Sequence, residues 1–180
     1  MTDYFALLGE ARRPWLDPEQ LKEKYFARNR AAAAEAELNE AFRVLSDPKL
    51  CLHHLLTLEG AKLTVGRPVP PSVAELFWNT GMLLREVERW LLKSAEAGSA
   101  LSRALLSGER AKLEGKLDDL ERQLNATFET ELGRLQELDA RASPVPPHEL
   151  AELVQAYDSI SYLTRLLEQV TEKRFRLNVA

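Results

Sequence analysis

An all-α fold is what this sequence predicts, on three observations. All nine prolines fall in three regions: Pro14, Pro18 and Pro48; Pro68, Pro70 and Pro71; and Pro144, Pro146 and Pro147. Proline inside a helix costs about 3 kcal/mol, so the long proline-free stretches are available to helices. No stretch shows the strict alternation or the β-branched enrichment of a strand. Finally, apolar residues recur at spacings of three and four over long reaches, which lines one face of a helix.

The first well-marked helix start is Asp17, a cap, with Pro18 at the first helical position and Gln20 three residues after the cap. From Glu19 to Ser46 there is no glycine or proline, and the middle reads Ala31-Ala32-Ala33-Ala34. Local propensity there favours one long helix. Packing favours a hairpin turning near residues 29–34, because Leu21, Tyr25, Leu38, Phe42 and Leu45 want one shared core. The segment 36–60 reads as a helix with Leu38, Phe42 and Leu45 on one stripe, cut by Asp47-Pro48 and restarted as a second apolar helix through His53.

The stretch from Ala61 to Pro71, with Gly66 and three prolines, is the best domain boundary. It divides a helical unit at 1–62 from a bundle at 73–180, with a proline-rich linker at 63–72 between them. Ser72 and Glu75 repeat the capping device after Pro70-Pro71. Three long helical stretches follow, at 73–106, 109–141 and 147–175, with a kink or break expected near Gly98. The middle one places Leu113, Leu117, Leu120, Leu124, Phe128, Leu132, Leu135 and Leu138 on one stripe. The last does the same with Leu150, Leu153, Val154, Tyr157, Ile160, Leu163, Leu167 and Val170. Three striped helices on short links form an antiparallel three-helix bundle.

Composition narrows the function. The chain has 180 residues, 45% of them hydrophobic, enough for one moderate domain or two small ones. A net charge of −4 with both signs interspersed leaves no global basic field for nucleic acid. The one cysteine, Cys51, lies in the apolar run Leu50-Cys51-Leu52 and reads as a buried small hydrophobe. His53 and His54 are neighbours and diverge by about 100° on a helix, so they do not ligate a metal jointly, and His148 stands alone. The string Asp118-Asp119-Leu120-Glu121 fans around a polar face and reads as solvated surface. No glycine-rich phosphate loop, nucleophile motif or ligand cluster is present, so no enzyme, cofactor or metal is expected. With no signal segment and no membrane-length apolar run, a soluble cytoplasmic protein is expected.

The segment Ala36–Gly60 resembles the third and fourth helices of a J-domain, and two further stretches extend the likeness. Asp3-Tyr4-Phe5-Ala6-Leu7-Leu8-Gly9 matches the usual opening helix, followed by the capped Asp17-Pro18 start. Leu76-Phe77-Trp78-Asn79-Thr80-Gly81-Met82-Leu83-Leu84-Arg85-Glu86 stands where an apolar and acidic run opens the bundle. Taken together, the architecture resembles the J-domain co-chaperone of iron–sulfur cluster assembly. In that family the J-domain engages a heat-shock-type chaperone and the bundle holds the iron–sulfur scaffold protein. The resemblance implies chaperone binding through the basic helix carrying Lys22, Lys24, Arg28 and Arg30. It implies scaffold or partner binding through Phe77, Met82, Leu84, Arg85 and Glu86, and Trp78 joins them as a candidate on its position beside Phe77.

The chain departs from the pattern in two places. Where the family carries a His-Pro-Asp tripeptide, this chain reads Arg28-Asn29-Arg30-Ala31-Ala32-Ala33-Ala34-Glu35, and Thr80 and Leu83 stand where it tends to carry glutamates. The expected function is therefore a non-catalytic, co-chaperone-like adaptor that does not stimulate a chaperone ATPase. The alternative is a helical interaction or structural protein with changed partners and no role in cluster assembly. Phe77 and Trp78 diverge by about 100°, so one of them is expected either against the N-terminal unit or at the surface, where it would be a candidate binding anchor. Neither nucleic acid nor membrane is expected as a partner; the leucine stripes leave self-association open.

Overall fold

The structure is a computed structural model that describes residues 2–29, 35–63, 68–141 and 150–180, and every regular element among them is a helix. In chain order these are α1 (Tyr4–Leu8), α2 (Pro18–Asn29), α3 (Glu35–Ser46), α4 (Pro48–Leu58), α5 (Pro71–Ala95), α6 (Ala100–Arg141) and α7 (Leu150–Val179). The all-α expectation is thus met. Arg30, the alanine run 31–34, Gly66, the prolines at 144–147 and His148 lie outside the described residues.

Helix starts follow the capping chemistry at two of the three expected places. Asp17 Oδ1 accepts from the N–H groups of Glu19 and Gln20 at 2.9 and 3.0 Å. Asp47 Oδ1 accepts from Leu50 N–H at 2.9 Å, with Pro48 in the first turn of α4. Ser72 does not cap α5. The cap is Pro70, whose carbonyl accepts Val73 N–H at 2.9 Å, while the Ser72 hydroxyl lies 3.3 Å from that of Ser159.

Contacts divide the chain into two compact units, Met1–Arg67 with Glu131–Asp158, and Pro68–Thr130 with Ser159–Ala180. In the first, α1 packs on α2 and α3, α2 on α3, and α3 on α4. The rings of Tyr25 and Phe42 stack with centroids 4.4 Å apart, and Tyr25 Oη–H donates to Asn39 Oδ1 at 2.6 Å. On one continuous helix residues 25 and 42 would stand about 25 Å apart. The chain therefore turns back between α2 and α3, and the shared core wins over local alanine propensity. Phe5, Leu8, Leu21, Leu38, Leu45, Leu52, Leu55 and Leu56 are buried, as are Leu135 and Leu138 from the end of α6 and Leu153 from the start of α7. Arg13 pairs with Asp139 in the same unit, its Nε donating at 2.9 Å.

The five-residue α1 is too short to hold itself together. Asp3 Oδ1 accepts from Phe5 and Ala6 N–H, and His54 Nε2 accepts Tyr4 N–H at 3.1 Å. The His54 ring stacks on Tyr4, with centroids 4.6 Å apart. Gly9 closes the C-terminus at φ +69°, the left-handed region that favours glycine.

In the second unit α6 runs opposite to α5, since Glu86 meets Lys116 while Trp90 meets Leu106. Along α7 the pairs Phe77–Tyr162 and Glu88–Lys173 advance together, so α7 runs parallel to α5. This is the up-down-up order of an antiparallel three-helix bundle. Its core is built from Val73, Leu83, Val87 and Trp90; Leu113, Leu117, Leu120 and Leu124; and Leu163, Leu166 and Val170. The expected helix 73–106 is interrupted: α5 ends at Ala95 and α6 begins at Ala100, with Gly98 in the link. Ser99 caps α6, its Oγ accepting Ser102 N–H at 3.0 Å. Gly108, by contrast, sits inside α6 without ending it.

Candidate functional site

Helix α5 presents two unlike faces. Val73, Thr80, Leu83, Val87 and Trp90 are buried at spacings of seven, three, four and three, the stripe that a core demands. On the other side Phe77, Trp78 and Met82 are 43%, 65% and 44% exposed. Both aromatics therefore reach the surface, where the sequence left one of them to lie either there or against the N-terminal unit. Phe77 meets Tyr162 of α7 edge-on, with centroids 6.2 Å apart.

Two grooves flank this face within the bundle. One, of about 400 Å³, lies between α5 and α7 and is lined by Phe77, Trp78, Gly81 and Arg85 against Tyr162 and Arg165. The other, of about 260 Å³, lies between α5 and α6, with Met82 and Leu83 opposite Leu120. The exposed Arg85 donates from Nη2 to Met82 Sδ at 3.0 Å, and Glu86 accepts from Lys116 Nζ at 2.6 Å. Leu84 is half-buried against the bundle core. Large apolar groups with adjacent guanidinium groups make a surface suited to a protein partner. Thr80 and Leu83 point the other way, and the Thr80 hydroxyl donates to Leu76 C=O at 2.7 Å. A carboxylate at either position would be desolvated in the core.

The basic helix α2 spends part of its charge inside its own unit. Lys24 Nζ pairs with Glu10 at 2.9 Å and also reaches Gly9 C=O at 3.4 Å. Arg28 Nη1 donates to Leu7 C=O at 2.6 Å, and its guanidinium occupies the space a Cβ at Gly9 would need. Lys24 and Arg28 therefore clamp the end of α1, a role the helix face alone did not announce. Lys22 is exposed, and Phe26 beside it is 47% exposed, an apolar surface group that the basic reading of this helix passed over.

Among the described residues, the other groups singled out in the sequence are buried or engaged with neighbours. Cys51 is buried, and desolvation pushes its thiol up to about 12. Desolvation also lowers the pKa of His54, while His53 is exposed and packs against Tyr157, so the two histidines diverge as expected. Asp118 and Glu121 pair with Arg174, and Asp119 pairs with Arg122. Among the described residues no group of three His, Cys, Asp or Glu is placed to hold a metal, and no helix is long and apolar enough to cross a membrane.

The fold and its surface define an all-α protein with a J-domain-like N-terminal unit and a three-helix bundle whose first helix exposes an apolar face. No family model matches the chain, and no curated protein sequence matches it. Among solved structures it is similar to the chaperone HscB from Vibrio cholerae, with a TM-score of 0.59 and 18% sequence identity, across 98% of this chain and 99% of that one. At that identity the likeness shows a shared fold.

Proposed function

We propose that this protein is a non-catalytic, co-chaperone-like adaptor of the kind that serves iron–sulfur cluster assembly. One observation carries the reading. The likeness to the chaperone HscB runs the length of both chains, and the helix that opens the bundle exposes Phe77, Trp78 and Met82 together. In this reading residues 73–180 hold a scaffold protein through Phe77, Trp78, Met82, Leu84, Arg85 and Glu86. Residues 1–62 meet a heat-shock-type chaperone through Lys22, Lys24, Arg28 and Arg30. The segment 63–72 links the two functions. Because Arg28–Glu35 contains no His-Pro-Asp, the adaptor binds without stimulating the chaperone ATPase.

The test is affinity capture of the tagged protein from its own cells, with mass spectrometry of what is retained. Recovery of a cluster-assembly scaffold or its chaperone supports the reading, and loss of that partner from the double variant W78A/M82A with helicity unchanged assigns it to α5. Recovery of unrelated proteins only would favour the second reading, a helical interaction protein with changed partners, which the missing tripeptide also supports. Stimulation of a chaperone ATPase above its basal rate would sink the non-stimulating part of the proposal.

A further inference from the structure

Past Met82 the seam between α5 and α6 changes character. A groove of about 320 Å³ runs there, floored by Trp90 and Leu113 and rimmed by Arg89, Lys93, Lys112 and Lys116. Trp90 and Leu113 are buried, while Arg89, Lys93, Lys112 and Lys116 are exposed. Two carboxylates, Glu86 and Glu109, share the lining, and Lys116 neutralises Glu86 at 2.6 Å. Arg89, Lys93 and Lys112 have no carboxylate partner among the described residues. This positive strip lies on a chain whose net charge is −4, so it runs against the average surface.

A second feature continues the same line. Spacings of four, four, three and four put Leu101, Leu105, Glu109, Lys112 and Lys116 on one stripe of α6. Leu101 is 72% exposed and Leu105 is 66% exposed, so two leucines without cover extend the rim of the groove toward the start of α6. From Glu86 to Lys93 and on past Leu101, the strip spans on the order of 20 Å, the length of a helix of about 14 residues.

We infer that this α5–α6 groove docks an acidic amphipathic segment of a protein partner. Its carboxylates would meet Arg89, Lys93 and Lys112, and its apolar face would cover Leu101 and Leu105. A phosphate backbone fits less well: Glu86 and Glu109 interrupt the positive track, and exposed leucines gain nothing from phosphate. The surface is distinct from the Phe77–Trp78 side of α5 and does not depend on the adaptor reading. Rim charges of this kind steer association and make it sensitive to salt.

The experiment measures binding of the full-length protein to a fluorescein-labelled model helix of about 14 residues. The helix carries leucine on one face and glutamate elsewhere, and a twin has lysine in place of glutamate. Anisotropy should show the acidic helix binding and the basic twin binding much more weakly, with the difference shrinking at about 0.5 M salt. The charge reversal K93E/K112E, at exposed positions that leave the fold intact, should weaken the acidic helix about tenfold. L105S should weaken it too, while W78A should leave it unchanged. Equal binding of the two helices, or binding indifferent to K93E/K112E, overturns the inference. So does a short RNA duplex or a phosphatidylserine vesicle that binds in a K93E/K112E-sensitive way when the acidic helix does not.

Discussion

His54 shows how much one side chain can decide. Its Nε2 accepts the first N–H of α1, so the ring must be neutral in the folded protein, and desolvation lowers its pKa below 6.5 to match. The unfolded chain takes up a proton near 6.5 that the folded one refuses, so folding stability rises with pH in the window below that value. The contribution is complete above about 6.5 and is lost as pH falls toward and through the lowered folded value. Thermal melts should therefore begin to lose stability as pH falls below about 6.5, ahead of the carboxylates, whose window lies near 4. Asp3 belongs to that later window: desolvation opposes it, but Arg12 and the N–H groups of Ala6 and Phe5 hold its carboxyl low. The variant H54Q should flatten the upper window, and an unchanged pH profile in H54Q would show that the histidine is not the sensor. Cys51 gives the second residue-scale prediction. Buried and with its thiol pushed up to about 12, it should resist a disulfide reagent in the native protein and react only on unfolding. Rapid labelling without denaturant would contradict that burial.

The two tryptophans of α5 separate structure from surface at the scale of one helix. Trp90 is 5% exposed and its Nε1–H donates to Leu106 C=O at 3.0 Å, tying the end of α5 to the first turns of α6. Trp78, on the same helix, is 65% exposed. W90A should cost about 3–5 kcal/mol of folding stability, and W78A should stay within about 0.5 kcal/mol. Comparable losses from both in denaturant titrations would erase the two-faced description. The cap of α6 offers a finer probe, since S99A removes the acceptor for Ser102 N–H and should cost about 1 kcal/mol. Much of this was legible in the sequence, because period and punctuation are local: Asp17 and Asp47 cap as read, and Leu113 to Leu124 line the core. A kink or break at Gly98 was legible in the sequence, but not that the chain ends one helix there and reverses into the next. What decided that was tertiary: Trp90 needed Leu106 beside it, which only a reversal of the chain supplies. The clamp by Lys24 and Arg28 was illegible for a related reason. Two of its acceptors are the backbone carbonyls of Leu7 and Gly9, which carry no signature in sequence, and the third, the Glu10 carboxylate, lies on a loop whose path the sequence does not announce.

At the scale of the molecule, the proposed functional division and the compact units part the chain in different places. The proposed functional division falls in the proline-rich stretch at 63–72, where few residues favour a helix. The compact unit around α1 to α4, however, also takes Glu131–Asp158. Those residues supply buried Leu135, Leu138, Leu153 and Ala156, the Asp139 partner of Arg13, and the Tyr157 ring that meets His53. A fragment ending at Arg67 keeps the four short helices and loses those covers. Below about 70 residues a single core leaves only a few kcal/mol of stability, and each removed leucine withdraws about 1.5–3 kcal/mol of burial. Residues 1–67 alone should therefore retain partial helicity by circular dichroism, lack a cooperative melt and give poorly dispersed amide resonances. Joining residues 131–158 to that fragment should restore both cooperativity and dispersion. A sharp melt from 1–67 alone would show that the helices at 131–158 are lodgers on a domain that folds without them.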